Sequence, residues 1–454
     1  MEDGAFPSLP DLNSMDAAHI AFLATPEGRS ALESASHLPD DRLTRLQRLR
    51  RLWPPDLATA IMELLELRKR ARAKFSDADQ MFFTPEGLEQ STGDLIANYR
   101  ASCFPANVPL LDACCGIGGD AMALQTRGPV LAVDSNPTAV ACTLANIRLN
   151  LQYARQMKDQ VSIELINKDQ VIQIAGEQEV FGVCTDVTTL DLPRLRQRGF
   201  GAAFFDPSRR IDTTQGRRRA RNSEDYLPPL SWSRALCAAF PDVGVKVSPA
   251  IDDTVLTELT REYGSVEFIS AQGECKEAVL WFGGPTMSLP TPPVQNRSSA
   301  FFCATVLRTG QIPATLAPST YDLPPSCTPL AWLYEPDPAV IRAHLVATLC
   351  QRLDLVPLDA QIAYLTGNTA IQTPFATAYR VLDWMPFHLK NLQIWLRANQ
   401  RRVEVVKRRG VPLEPEEMRK KLASPALASY APVVLVLTHR HEQPIALLCD
   451  PPES

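Results

Sequence analysis

The stretch "LLDACCGIGGDAMAL", residues 110–124, decides the fold. An apolar run ends on Asp112, a turn carries Gly116, Gly118 and Gly119, and a helix-forming segment follows. Glycines at such a turn take backbone conformations that other residues resist, and they let the main chain approach a ligand closely. Strand, glycine turn and helix in that order form the opening unit of a doubly wound α/β sheet.

The spacing narrows the ligand. The dinucleotide fingerprint wants Gly-x-Gly-x-x-Gly, whereas "GIGGDA" places the Asp120 carboxylate where a pyrophosphate would meet the helix N-terminus. That argues against a nicotinamide dinucleotide and for a ligand without phosphate. S-adenosylmethionine fits. Asp112 can orient its ammonium directly or through water, Asp120 stands at the same aminoacyl end, and the turn through Cys114, Gly116 and Gly118 holds the rest.

The pattern continues outward. Eighteen residues beyond Gly116, "VLAVD" ends in Asp134, where the second strand of such folds offers a carboxylate to the ribose hydroxyls. Ser135 follows, in a Ser135-Asn136-Pro137 cap for the next helix. "FGVCTD" ends in Asp186, beside Val187, placed to accept a hydrogen bond from the adenine amino group; Asp169 in "NKDQ" competes for that contact. "AAFFD" ends in Asp206. Each Asp alone reads as a cap or turn residue. Four successive strands ending this way are not a packing pattern.

The 454 residues, 45% apolar and 21% charged, suit a globular chain of several domains. No stretch approaches the ~18–20 apolar residues of a membrane span, and "MEDGAFPSLPDLNS" lacks the segments of a signal peptide, so a soluble, cytoplasmic protein is expected. Eleven cysteines, scattered except for Cys114-Cys115, and six histidines suggest neither disulfides nor a metal site. The net charge of −5 disfavours a protein that coats nucleic acid with its whole surface, but it leaves room for local basic patches.

Helical spacing dominates residues 1–100, as in "DDRLTRLQRLRRLW". Residues 101–284 alternate short apolar runs with helix-length segments, the pattern of buried parallel strands. A linker rich in Pro, Ser and Thr is expected over 285–299. Residues 300–454 mix strand-like "AFFCATVL", a helix at "PAVIRAHLVATLCQRLDL" and a closing pair of strands, "VEVVKRRG" and "APVVLVLTHR". The expected architecture is an N-terminal helical domain, a Rossmann-like α/β domain and a C-terminal α+β domain.

"GAAFFDPSRR", residues 201–210, bears on the substrate. Many enzymes that methylate a base amino group end this strand in Asn/Asp-Pro-Pro-aromatic. Here Asp206 and the Pro207 carbonyl keep the acceptors, and the aromatic is missing. Arg209 or Arg210 can stack on a base in its place or grip a phosphate. Lys246, ending the next strand, either faces the substrate or pairs with Asp206. Arg217, Arg218, Arg219 and Arg221 extend the basic run beyond the strand's carboxyl end, where α/β sheets bind ligands; a solvated face is the plainer reading. Near the C-terminus, Arg401, Arg402, Lys407, Arg408 and Arg409 form a second basic stretch.

These residues resemble class I S-adenosylmethionine-dependent methyltransferases, and more narrowly a bacterial branch with a THUMP-like C-terminal domain, related to the cap guanine-N2 (trimethylguanosine synthase) group. The resemblance rests on "FFTPEGLEQSTGDLIANYRA", "LLDACCGIGGDAMAL", "AVDSNPTAVACTLANIRLN", "FFDPSRR", "VKVSPAID", "GECKEAVLWFG" and "WLYEPDPAVIRAHLV", and spans about residues 75–450. It implies that Thr84-Pro85-Glu86 covers the cofactor, although Thr84 is equally a plain helix cap. It also implies that the C-terminal basic stretch docks RNA. Where the cap enzymes carry Pro-Pro-Trp, this chain has Pro207-Ser208-Arg209, so the substrate does not carry across. The expected activity is methylation of a base nitrogen, such as guanine N2, in structured RNA. The alternatives are a methyltransferase for a protein or small molecule, and a non-catalytic RNA-binding factor.

Overall fold

A computed structural model describes residues 15–154, 172–174, 180–213, 216–219, 223–260, 264–283, 301–423 and 428–452. Asp169, Arg221 and the expected linker 285–299 lie outside them. The chain divides into two compact units, Met1–Gly264 with Val279–Ala300, and Ser265–Ala278 with Phe301–Ser454.

The first unit opens with α1 (Ala17–Leu23), α2 (Pro26–Ser36), α3 (Arg42–Leu49) and α4 (Pro55–Ala71). Side chains of Asp16, Thr25 and Asp41 accept backbone N–H groups at the first three N-termini, and Pro55 starts the fourth. Ile20, Leu23, Leu32, Leu49, Ile61 and Leu64 of these helices are buried, each worth roughly 1.5–3 kcal/mol of transfer free energy. Two short helices, α5 (Pro85–Gln90) and α6 (Asp94–Cys103), lead into the sheet.

The sheet elements follow in alternation: β1 (Leu110–Ala113), α7 (Gly119–Leu124), β2 (Val130–Asp134), α8 (Pro137–Ala154), β3 (Ile172–Ile174), β4 (Val180–Cys184), α9 (Leu192–Gln197) and β5 (Ala202–Phe205). A hairpin of β6 (Arg210–Thr213) and β7 (Gly216–Arg219) comes next, then α10 (Ser233–Ala239), β8 (Asp242–Val247) and α11 (Asp253–Thr260). Strands β4, β2, β1, β5 and β8 lie side by side in that order, all parallel, with β3 antiparallel against β4. The chain winds outward from β1 to β4 and then returns to the other side for β5 and β8. Its switch point, between β1 and β5, is where doubly wound sheets bind ligands.

Register brings the strand ends level. Ala113 lies opposite Val133 and Phe205, Phe205 opposite Val245, and Asp134 opposite Cys184. Cys114, Asp206 and Lys246, each one residue further on, therefore emerge along the same carboxyl edge.

Next come β9 (Gly264–Ala271) and β10 (Glu274–Phe282), of which Ser265–Ala278 belongs to the second unit; β11 (Phe301–Leu307) pairs parallel with β9 and antiparallel with β12 (Ala314–Leu316). A seven-stranded sheet is built from β13 (Trp332–Pro336), β14 (Val356–Asp359), β15 (Ile362–Gly367), β16 (Ala376–Pro386), β17 (Arg401–Arg408), β18 (Ala431–Arg440) and β19 (Gln443–Cys449), in the order β14-β15-β13-β16-β19-β18-β17. The helix expected after Asp337 is two, α12 (Pro338–Arg342) and α13 (Val346–Leu353), broken where His344 takes a φ of 58°. Helices α14 (Leu389–Ala398) and α15 (Pro415–Leu422) complete the unit. The strands expected as a closing pair, β17 and β18, do pair, in parallel, and α15 supplies the crossover that parallel strands need.

Candidate cofactor and substrate site

The glycine turn is shaped by contacts that only glycine permits. Gly118 has a φ of 86°, and a Cβ on it would lie 3.0 Å from the Thr143 backbone. Gly116 has a φ of 55°, yet a Cβ there would meet nothing within 4 Å. Its missing side chain therefore opens a cradle above the strand ends. Cys114 also takes a left-handed backbone, with a φ of 67°.

Asp112 gives the sharpest sign of a ligand. It is 1% exposed, and neither carboxylate oxygen has a hydrogen-bond partner among the described residues. Burial pushes its carboxyl well above the usual range, and the Asp120 and Asp206 charges push in the same direction against Arg100. A buried, unpartnered carboxyl costs stability unless something cationic satisfies it. The ammonium of S-adenosylmethionine is such a group, so the residues fit that cofactor.

Asp134 is fixed by backbone hydrogen bonds. Its Oδ2 accepts the Gly116 N–H at 3.0 Å and its Oδ1 accepts the Asn136 N–H at 2.9 Å. Burial raises its carboxyl, opposed by these backbone hydrogen bonds. Ser135 beside it is exposed. Asp186, also exposed, accepts the Thr188 N–H at 2.9 Å and caps a single turn that buries Val187.

Asp120 sits in the first turn of α7 and pairs with the guanidinium of Arg100, which is 1% exposed. Arg100 also lies over the Phe204 ring, 4.5 Å from its centroid. Thr84 accepts the Gly87 N–H at 3.0 Å as the α5 cap, and Gly87 packs so tightly on Ile117 of the turn that a Cβ would lie 2.2 Å from its Cγ2. Helix α5 thus rests directly on the glycine turn. Asn146 of α8 fixes the same region from below, with its Oδ1 accepting the Phe82 N–H and its amide donating to the Phe82 and Ile117 carbonyls at 2.9 Å.

At the end of β5, Asp206 and Lys246 form an ion pair at 2.6 Å. Lys246 Nζ also donates to Thr92 Oγ1 at 3.1 Å, in the loop that follows α5. Of the two roles considered for Lys246, the structure displays the pairing. Pro207 is buried, and Ser208 is stitched to Leu227 by two backbone hydrogen bonds of 2.9 and 3.0 Å. Next to Leu227, the buried Tyr226 accepts the Ser248 N–H at 3.3 Å, joining the loops after β5 and β8 into one wall. Arg209 is exposed on that wall. In the hairpin beyond it, the backbone of Arg210 pairs with Arg219, Ile211 with Arg218 and Asp212 with Arg217.

Burial raises the Cys114 and Cys115 thiols well above their usual range, with Asp134 the next contribution. Both remain thiols at neutral pH, which suits chemistry without a cysteine nucleophile. Among the described residues no cluster of His, Cys, Asp and Glu could hold a metal ion, and no helix is long and apolar enough to cross a membrane.

In the second unit, the C-terminal cations are engaged by acids. Arg401 pairs with Asp450 at 3.1 Å, Arg402 with Glu404 at 3.7 Å and Arg408 with Glu414 at 3.0 Å. Glu335 holds both Lys407, at 2.5 Å, and Arg409, at 3.8 Å.

The order of the parallel strands, the glycine turn and the acidic strand ends define the class: a class I S-adenosylmethionine-dependent methyltransferase fold. The comparisons agree and add a second domain. Residues 376–451 match the THUMP domain-like family, and residues 16–71 match a family described only as a domain of unknown function. Over 391 residues, the chain is 29% identical to an uncharacterized S-adenosylmethionine-dependent methyltransferase of Mycobacterium tuberculosis strain CDC 1551 / Oshkosh, covering 84% of this chain and 93% of the relative. The protein of strain H37Rv matches equally. A crystal structure of a candidate methyltransferase from Porphyromonas gingivalis W83 superposes with a TM-score of 0.69 at 19% identity, covering 96% of this chain and 99% of that one. The chain is thus homologous to proteins named as S-adenosylmethionine-dependent methyltransferases and carries a THUMP-like domain at its C-terminus.

Sequence reasoning missed Arg100, Thr92, Asn146, Gly87 and Tyr226. Each acts through a partner distant in sequence, such as Phe82 for Asn146, 64 residues away. Helical periodicity carries no signal for such a contact.

Proposed function

We propose that the protein methylates a base nitrogen of structured RNA, with S-adenosylmethionine as methyl donor. The observation that carries this reading is the pairing of a buried, unpartnered carboxylate at the cofactor end with an acceptor pair, Asp206 and Pro207, at the adjacent strand end. Asp112, Asp120, Cys114, Gly116 and Gly118 would hold the aminoacyl end, Asp134 and Ser135 the ribose, Asp186 and Val187 the adenine, with Thr84 on the covering helix. When bound, the cofactor supplies an electrophilic sulfonium methyl.

The chain's own part is positioning. The Asp206 carboxylate and the Pro207 carbonyl accept the hydrogens of an amino group and so aim its lone pair. Lys246, engaging Asp206 through Oδ2, holds that carboxylate in place and leaves Oδ1 for the substrate. Arg209 and Arg210 take over base holding or phosphate gripping from the missing aromatic. The hairpin arginines and the THUMP-like domain support RNA as the substrate, and the Asp206-Pro207 acceptor pair supports a base amino nitrogen, such as guanine N2, as the target.

A second reading, a protein or metabolite substrate, draws on the ion-paired state of the C-terminal cations. It expects Arg217→Ala with Arg218→Ala to leave turnover intact. Mass spectrometry of RNA nucleosides from cells with and without the protein decides. A methylated nucleoside that disappears supports the RNA reading, and an unchanged nucleoside profile refutes it.

A further inference from the structure

We infer that α3 and the turn after it form a surface that docks the sugar-phosphate backbone of structured RNA; this rests on the RNA reading above. Residues 42–55 hold five arginines and no acidic residue. Arg45 is buried and bonded to Asp40 and to the carbonyls of Leu38 and Pro39. Arg42, Arg48, Arg50 and Arg51 are exposed and make no ion pair among the described residues.

The flanking acids make their contacts elsewhere, and Asp56, the nearest beyond Arg51, lies 3.7 Å from His19 Nε2. Asp40 is held by Arg45 and Lys69, and Asp41 caps α3 by accepting the Thr44 N–H at 2.8 Å. The basic end of the helix therefore keeps its charge, in contrast to the C-terminal stretch, where Arg401, Arg402, Lys407, Arg408 and Arg409 all face carboxylates.

Helix-dipole stabilisation favours cations in the last turn. It accounts for Arg48, but Arg50 and Arg51 lie beyond the helix. Leu43 and Leu52 in the same segment are 66% and 72% exposed. The exposed guanidiniums match what an RNA backbone offers, since arginine binds phosphate in a bidentate fork. An anionic membrane is the weaker match: Leu49 is buried and Leu46 half-buried, so this helix of eight residues presents no continuous apolar face to insert.

The test uses the full-length protein, a fluorescein-labelled RNA hairpin and phosphatidylglycerol vesicles. Arg42→Gln, Arg48→Gln, Arg50→Gln and Arg51→Gln are combined in one variant, and Arg401→Gln, Arg402→Gln and Arg408→Gln in a second. The first variant is expected to weaken hairpin binding on the order of 10–100-fold and to flatten the dependence of log affinity on log salt by about three. The second is expected to stay within about threefold of the parent. Unchanged calorimetric binding of S-adenosylmethionine shows that the first variant is folded. Should the parent bind the hairpin and the first variant bind it equally well, the inference fails while the RNA reading stands. Loss confined to the second variant, or to vesicle binding, overturns it too. A parent that binds the cofactor but no RNA overturns both.

Discussion

Replacing Asp112 with asparagine separates what this residue does for the fold from what it does for the ligand. In the structure its carboxyl is buried, unpartnered and raised well above its usual range by burial. A folded-state value above the unfolded one means that the folded protein binds the proton more tightly. Stability is then lost as pH rises from the unfolded value, near 4, toward the folded one. The Asp112→Asn side chain keeps the shape and removes the titration. The variant without ligand should be more stable at neutral pH by about 1–3 kcal/mol, since an unsatisfied buried charge costs more than the unsatisfied neutral amide that replaces it, and its advantage should shrink below pH ~4. In domains of about 150–250 residues each kcal/mol moves Tm by roughly 2–4 °C, and a larger unit shifts less. Cofactor affinity should move the other way. A hydrogen bond to a charged group contributes about 1.5–3 kcal/mol, so binding should weaken roughly 10–150-fold. Scanning fluorimetry from pH 4 to 8, with calorimetric titration of S-adenosylmethionine, measures both effects. A variant less stable than the parent at pH 7, or one that binds the cofactor as well as the parent, would refute the role given to Asp112.

Gly116→Ala and Gly118→Ala should differ. Both incur about 1–2 kcal/mol for left-handed backbone, but only the methyl added at Gly118 also presses on Thr143, while the one added at Gly116 projects into the open cradle. Chemical denaturation should therefore find Gly118→Ala the less stable, with Gly116→Ala losing cofactor affinity out of proportion to its stability. Arg100→Met strands the buried Asp120 carboxylate and should cost about 3–5 kcal/mol in urea unfolding; adding Asp120→Asn should recover part of it. Lys246→Met frees Asp206 and should lower methyl transfer at least ~10-fold while cofactor affinity changes less than ~3-fold, a split visible by comparing single-turnover rates with calorimetry.

The glycine turn and strands β1, β2, β4 and β5 were legible because buried parallel strands leave continuous apolar runs, although Asp186 and Asp206, expected to end two of them, lie just beyond Cys184 and Phe205. Strands β14 to β16 were not. In β16, exposed and half-buried positions interrupt the pattern, and its pairing partners lie up to 68 residues away, as for Val381 and Cys449. The two basic stretches show the same limit. Composition made "RRVEVVKRRG" look like a free cationic surface, and only folding brings Glu335 to Lys407 across 72 residues. In α3 the opposite holds, since its charges are local and stay exposed.

On the function proposed above, this carboxyl edge transfers a methyl group from S-adenosylmethionine to RNA. Incubating the purified protein with S-adenosylmethionine tritiated at the methyl group and total RNA from a strain lacking the gene tests it most directly. Label in a single RNA nucleoside, reduced with Asp112→Asn and Gly116→Ala at subsaturating cofactor, is the expected result. RNA that stays unlabelled while protein or small molecules take up tritium would contradict it.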